Sequence, residues 1–246
     1  MPGFLHERRR VAEWMDAPDA DPVELRRSLD FIRRINNALG YTKTSITYLK
    51  KFSRTWQPGR QIRILDVATG SADIPRAALT WGKSAGFDLR LIGIDFHPKT
   101  IRIAAEETPG MKLVQANALS LPFADSSFDY VMTALFLHHL SDEETIAVLK
   151  EMNRVAARGV IICDLLRNRR AYAWISLFTL FSIPMVKHDG RASVAHAFTK
   201  NEIVKLAAAA GLNYATYHRH FGHRFVIAGE RAITRSSNDE IRRTNQ

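Results

Sequence analysis

The chain has one cysteine, Cys163, inside the apolar run GVIICDLL, so an intramolecular disulfide is excluded and a reducing, cytoplasmic setting is expected. It also lacks a long apolar run. The longest, Tyr172 to Val186, falls short of the roughly 20 residues that span a bilayer and is interrupted by Pro184. The amino terminus MPGFLHERRRVAEW has no signal-like apolar core, and no export is expected. No internal repeat is visible. The three-glycine phosphate turn G-x-G-x-x-G is missing as well, leaving pyrophosphate binding and a dehydrogenase reading without support.

What is present suits one α/β catalytic domain. The 246 residues are 46% apolar and 24% charged, near the averages for soluble globular chains. The formal charge of +10 would attract nucleic acid, an anionic membrane surface or an acidic substrate alike, and does not choose among them. Leu25, Leu29, Ile32, Ile35 and Leu39 recur at helical spacing between Arg26-Arg27 and Arg33-Arg34, so an amphipathic helix with a basic, solvated face is expected in an amino-terminal helical cap, residues 1–57. Arg8-Arg9-Arg10 adds to that basic segment.

From Gln61 the pattern turns to short apolar strands alternating with helices, which predicts βαβ units and a doubly wound, mainly parallel sheet over 58–230. The strands are IRILDVA, LRLIGID, MKLVQAN, FDYVMTALF and GVIICDL. Helices are expected over 71–85, 98–107 and 141–157, the last opening on the capping box Ser141/Glu144. An insertion at 166–196 carries the apolar Tyr172 to Val186 segment, read either as a lid or as a core helix pair. The helix TKNEIVKLAAAAGL and strands near 213–218 and 224–228 close the domain, and 231–246 reads as a flexible polar tail.

Three stretches carry candidate chemistry. ILDVATGSAD runs from a strand through a turn with one glycine, Gly70, flanked by small residues that let a ligand approach the backbone. LIGIDFHP ends its strand in Asp95, placed to accept hydrogen bonds from ribose hydroxyls, or to cap the helix before Pro98. LVQANALSLPFADSSFDYVMTALFLHHL places Asn117-Ala118 after the third strand and His138-His139 after the fourth, on the edge where doubly wound folds collect ligands.

In this order, DVATGSAD, GIDFHP, QANALSLPF and SFDYVMTALFLHHL resemble the core of class I S-adenosylmethionine-dependent methyltransferases over about Ile62 to Leu165. They are most similar to the ubiquinone/menaquinone C-methyltransferases and related small-molecule enzymes. The resemblance implies a Rossmann-like seven-stranded sheet with one antiparallel strand, and S-adenosylmethionine as cofactor across the carboxyl ends of the strands. It implies that Asp66 and Phe96 belong to the cofactor site, that Ala68, Thr69 and Gly70 lie beside the methionine moiety, and that Asp73 helps to hold the ammonium. Asp95 would lie at the ribose, Asn117 and Ala118 at the adenine, and Thr133 to Leu135 near the transferable methyl. Ala72 stands where the quinone enzymes usually have a further glycine, and LFLHHLSD departs from their signature, which puts the acceptor in doubt.

The expected reaction is methyl transfer to oxygen or carbon of a small apolar metabolite, aromatic, polyketide or quinol-like, of the kind found in secondary metabolism. His138 is the candidate base, by the suitability of imidazole for removing a hydroxyl proton. A structural role stands beside that reading for every histidine, including His139, His188, His196, His218, His220 and His223. No metal is expected, since His218, Arg219, His220 and His223 lack carboxylate or cysteine support. Alternatives are an RNA methyltransferase, favoured by charge but lacking an N-P-P-Y-like signature, and a non-catalytic S-adenosylmethionine-binding protein. Among partners, DNA is not expected, RNA is not favoured, peripheral membrane contact is compatible with the composition, and oligomeric state is not determined.

Overall fold

Alternation of apolar strands and amphipathic helices is realised as a seven-stranded sheet in a computed structural model that describes residues 7–8, 11–17 and 19–232. The strands are β1 (Ile62–Val67), β2 (Leu89–Asp95), β3 (Lys112–Gln115), β4 (Phe128–Ala134), β5 (Ala156–Leu165), β6 (Thr216–His220) and β7 (Arg224–Glu230), in the order β3-β2-β1-β4-β5-β7-β6. The pairs β1–β2, β1–β4, β2–β3 and β4–β5 are parallel, whereas β7 runs antiparallel to both β5 and β6. Every residue of β4 from Phe128 to Thr133 is buried, as expected of a parallel strand covered on both faces.

Helices α1 (Pro22–Ala38), α2 (Tyr41–Phe52), α3 (Asp73–Ser84), α4 (Pro98–Glu107), α5 (Asp142–Val155), α6 (Arg169–Phe178), α7 (Pro184–His196) and α8 (Lys200–Ala209) complete the described chain. One face of the sheet packs Leu49, Phe52, Ile74 and Ala78 of α2 and α3 against Ile64, Tyr130 and Met132. The other packs Val148, Met152, Ile203 and Leu206 of α5 and α8 against Leu65, Val131 and Ile162.

Local chemistry sets the ends of these helices. Asp21 caps α1 by accepting from the N–H groups of Val23 and Glu24, Pro22 occupies its first turn, and Gly40 in the left-handed region turns the chain into α2. The capping box at Ser141 and Glu144 is formed, and α5 ends at Val155 because β5 already begins at Ala156, three residues before the expected GVIICDL. The apolar run Tyr172 to Val186 is not one helix. Proline lacks an N–H and fits only a first turn, so Pro184 opens α7 after α6 has ended at Phe178. The expected tail from residue 233 onward lies outside the described residues, as do Arg9 and Arg10.

Candidate active site

The carboxyl ends of β1, β2 and β4 open into a cavity of about 820 Å³, within the range of organic-ligand pockets. At its polar end, the turn after β1 holds Ala68, Gly70 and Ala72 in the left-handed region, with φ of 57°, 55° and 56°. Such backbone is strained for alanine, by roughly 1–3 kcal/mol each, and clusters where the chain is shaped for a ligand. Asp95 fixes this turn: one carboxylate oxygen accepts from Gly70 N–H at 3.1 Å and the other from His97 N–H at 3.0 Å. Each oxygen keeps a lone pair for a further donor. The helix cap itself is His97, whose Nδ1 accepts from Lys99 N–H, so Asp95 is not the cap of α4. A Cβ at Gly93 would lie 2.8 Å from Thr69 Oγ1, so the turn packs on β2 only because position 93 is glycine.

Two buried carboxyls border the polar end, Asp66 and Asp73. Burial pushes Asp66 up to about 8, and neither residue has a cationic partner among the described residues. Asn36 donates from Nδ2 to Asp73 at 3.0 Å, while its own buried Oδ1 has no partner. Two acids and an orphaned amide oxygen around one cavity suit a ligand bearing a cationic N–H group, as the α-ammonium of S-adenosylmethionine does.

Ala68, Thr69, Gly70, Asp95 and Phe96 line the same cavity, as do Asn117 and Ala118 on its rim. Asn117 accepts from Leu119 N–H at 2.9 Å through Oδ1, which leaves its Nδ2 for a ring nitrogen. Thr133 is not brought to the cavity. Its buried hydroxyl donates to the Val67 carbonyl at 2.8 Å, tying β4 to β1, and Ala134 and Leu135 reach the lining in its place.

The opposite end is apolar, walled by Phe31, Ile35, Leu135, Ile175, Phe178 and Val186. His138 sits at the junction, buried on the short 3-10 turn after β4. Its Nδ1 is 2.6 Å from Asp164 Oδ1 and its Nε2 is 3.7 Å from Glu13 Oε1. Burial acts upward on Asp164, but the neighbouring His138 outweighs it and holds the carboxyl below the usual range. Burial raises Glu13. His139 contacts Asp16 through Nδ1 at 2.7 Å; although burial acts downward on it, Glu13 and Asp16 push it up to about 10. The side-chain donors of Glu13, His138 and His139 lie within 4.8 Å of one another, so this trio has the reach to hold a metal ion.

Glu13 and Asp16 belong to an amino-terminal strap that the sequence did not reveal. Arg8 donates to the Leu140 carbonyl at 2.7 Å and pairs with Asp142. The Trp14 and Met15 N–H groups donate to the Asp189 carboxylate on α7, and Ser193 donates to Glu13. Lys99 then binds the Ala20 carbonyl, and α1 follows. Apart from the Lys99 contact, these cross more than 100 positions, and no spacing signal announces them. The other histidines are dispersed: His188 stacks on Trp14, His218 and His220 lie against Tyr48, His196 accepts from Val11 N–H, and His223 contacts Asn168 at the cavity rim.

Known proteins resemble this chain in sequence and in fold. Residues 64–159 match the family model described as a methyltransferase domain. The chain is 32% identical over 129 residues to a demethylmenaquinone methyltransferase of Staphylococcus carnosus, covering 51% of each chain. It is 31% identical over 134 residues to that of Staphylococcus aureus strain MRSA252, covering 53% of each. It thus spans about half the length of the curated relatives it matches. Human N-acetylserotonin methyltransferase in complex with S-adenosylmethionine superposes with a TM-score of 0.62 at 13% identity, over 86% of this chain and 57% of that one. A methyltransferase from Aquifex aeolicus superposes at 0.58 with 18% identity, over 85% and 98%. Over residues 64–159 the chain therefore resembles methyltransferase domains, and its fold is that of solved S-adenosylmethionine-dependent methyltransferases.

Proposed function

We propose that the chain transfers a methyl group from S-adenosylmethionine to an oxygen or carbon of a small, apolar, hydroxyl-bearing metabolite of the aromatic, polyketide or quinol class. The observation that carries this reading is one continuous cavity with an acidic cradle at one end, an apolar chamber at the other and His138 between them. The relatives named as demethylmenaquinone methyltransferases favour a quinol-like member of that class.

When bound, S-adenosylmethionine supplies an electrophilic methyl on a sulfonium. Asp66 and Asp73 would hold its ammonium, Asp95 its ribose hydroxyls, and Asn117 with Ala118 its adenine. Asp164 fixes the His138 ring by accepting from Nδ1, which leaves the Nε2 lone pair to take the acceptor's hydroxyl proton and raise the nucleophilicity of oxygen or of the conjugated ring carbon. Aligning acceptor and methyl in a chamber that excludes water supplies much of the acceleration. The described residues between 11 and 57 act as a cap and 166–196 as a lid, and the strap around Glu13 joins them over the site.

The test is a panel of phenols, hydroquinones and polyketides, with bulk RNA as a separate arm, incubated with methyl-labelled cofactor. Label in a small acceptor, lost in His138→Ala with cofactor binding retained, is the expected outcome. Label in RNA alone would overturn the reading, and saturable cofactor binding without transfer to any acceptor would favour a non-catalytic binder.

A further inference from the structure

The insertion presents an apolar surface that the cavity accounts for only in part. On α6, Trp174, Leu177 and Phe178 are exposed at helical spacing, and Leu180 and Phe181 continue the patch just beyond it, Phe181 being 97% exposed. Across the cavity mouth, the tip of the β6–β7 hairpin presents Phe221, 87% exposed. Large apolar side chains grouped in this way, rather than scattered, mark a contact surface. Trp174, Phe178 and Phe221 also line the cavity, so the patch forms a collar around its opening.

The charge carried by the collar's own segments has one sign. Arg169 and Arg170 are exposed at the start of α6, and Arg170 with Arg219 on β6 both bear on His223 beside Phe221. Residues 165–188 and 216–229 contain no aspartate or glutamate. Aromatic and aliphatic side chains framed by arginine, with no carboxylate among them, fit the boundary of an anionic bilayer: rings enter the headgroup and upper acyl region while guanidinium groups pair with phosphates. A surface seeking a protein partner gains specificity from mixed charges, which this one lacks. No helix among the described residues is long and apolar enough to cross a membrane, which leaves contact at the surface.

We infer that the collar formed by α6, the turn after it and the β6–β7 hairpin docks the protein on an anionic lipid surface, with the cavity mouth facing the bilayer. In that orientation an apolar ligand passes between bilayer and chamber without crossing bulk water. The inference stands on the surface itself and not on which acceptor is methylated.

The experiment is co-sedimentation of the full chain with vesicles of phosphatidylcholine alone or mixed with phosphatidylglycerol, with size-exclusion light scattering in parallel. Leu177, Leu180 and Phe181 do not line the cavity, so the triple serine variant is expected to keep cofactor affinity by calorimetry. Wild type should partition to the mixed vesicles, and the triple variant should partition at least about tenfold more weakly, since each lost side chain removes apolar area that would otherwise leave water. Arg169→Glu with Arg170→Glu should abolish the preference for phosphatidylglycerol, and the Trp174 emission should shift to the blue on binding. Absence of sedimentation with either vesicle, or undiminished binding by the triple variant, would overturn the inference. A dimer that the same serine substitutions dissociate, without vesicle binding, would overturn it in favour of self-association.

Discussion

Nδ1 of His138 lies 2.6 Å from Oδ1 of Asp164, and the backbone N–H of His138 donates to the other oxygen of the same carboxylate at 3.2 Å. Both ends of the contact are buried, so the ring has one orientation and one preferred tautomer. In Asp164→Asn the amide can donate to Nδ1 and force the proton onto Nε2, where a base needs its lone pair. We expect kcat to fall by about 10²–10⁴-fold in His138→Ala, the range for loss of a general base, and to fall substantially in Asp164→Asn. S-adenosylmethionine affinity should be nearly unchanged in both, as measured by steady-state kinetics beside calorimetry. Equal activity of His138→Ala and wild type would remove the histidine from the reaction.

If Asp66 holds the ammonium as proposed, it sets a pH dependence of cofactor binding. Its folded value of about 8 lies above the ordinary 3.8, so the ligand-free protein holds it largely neutral at pH 7. Ionising it inside the fold costs stability that appears as pH rises above 3.8 and is fully felt above about 8. A bound ammonium favours the carboxylate, so affinity should increase with pH up to about 8 and then level off. Titrations at pH 7 in buffers of different ionisation enthalpy should show proton release with S-adenosylmethionine and little with adenosine, which lacks the ammonium. Proton release in Asp66→Asn as large as in wild type would exclude this residue as the source.

The Glu13, His138 and His139 trio offers a direct contest between base and metal ligand. If His138 is the base, exhaustive treatment with a chelator leaves turnover unchanged, because Nε2 acts as a proton acceptor. Activity lost on chelation and restored by a divalent cation would reassign His138 to the metal. Elemental analysis of the purified protein provides the second readout.

One prediction concerns the frame that carries the site. A Cβ built on Gly159 would lie 2.3 Å from the Gly229 carbonyl oxygen, and both groups are backbone held in the β5–β7 ladder. Gly159→Ala must therefore push the antiparallel strand away from β5. The loss should be at least the roughly 1–3 kcal/mol of an overpacked core, read as a lower midpoint in chemical denaturation. An unchanged midpoint would mean the strands separate at no cost.

The sequence by itself determined the strands and helices of the sheet and the frame of the cavity's polar end. Strand and helix periods are local, and the turn ATGSA, Asp95 at the end of β2 and Asn117-Ala118 after β3 each lie within a few residues of the strand that aims them, so order along the chain is also order around the cavity. Tertiary structure alone decided the surroundings of His138. Asp164 meets His138 because β4 and β5 are neighbours, and Glu13 and Asp16 arrive from more than 100 residues away on a strap without periodicity. Thr133 shows the same limit in reverse. Its position at the end of β4 matched the expected pattern, yet its hydroxyl serves the Val67 carbonyl, because a strand exposes alternate side chains and only the packed sheet settles which one meets solvent and which meets its neighbour.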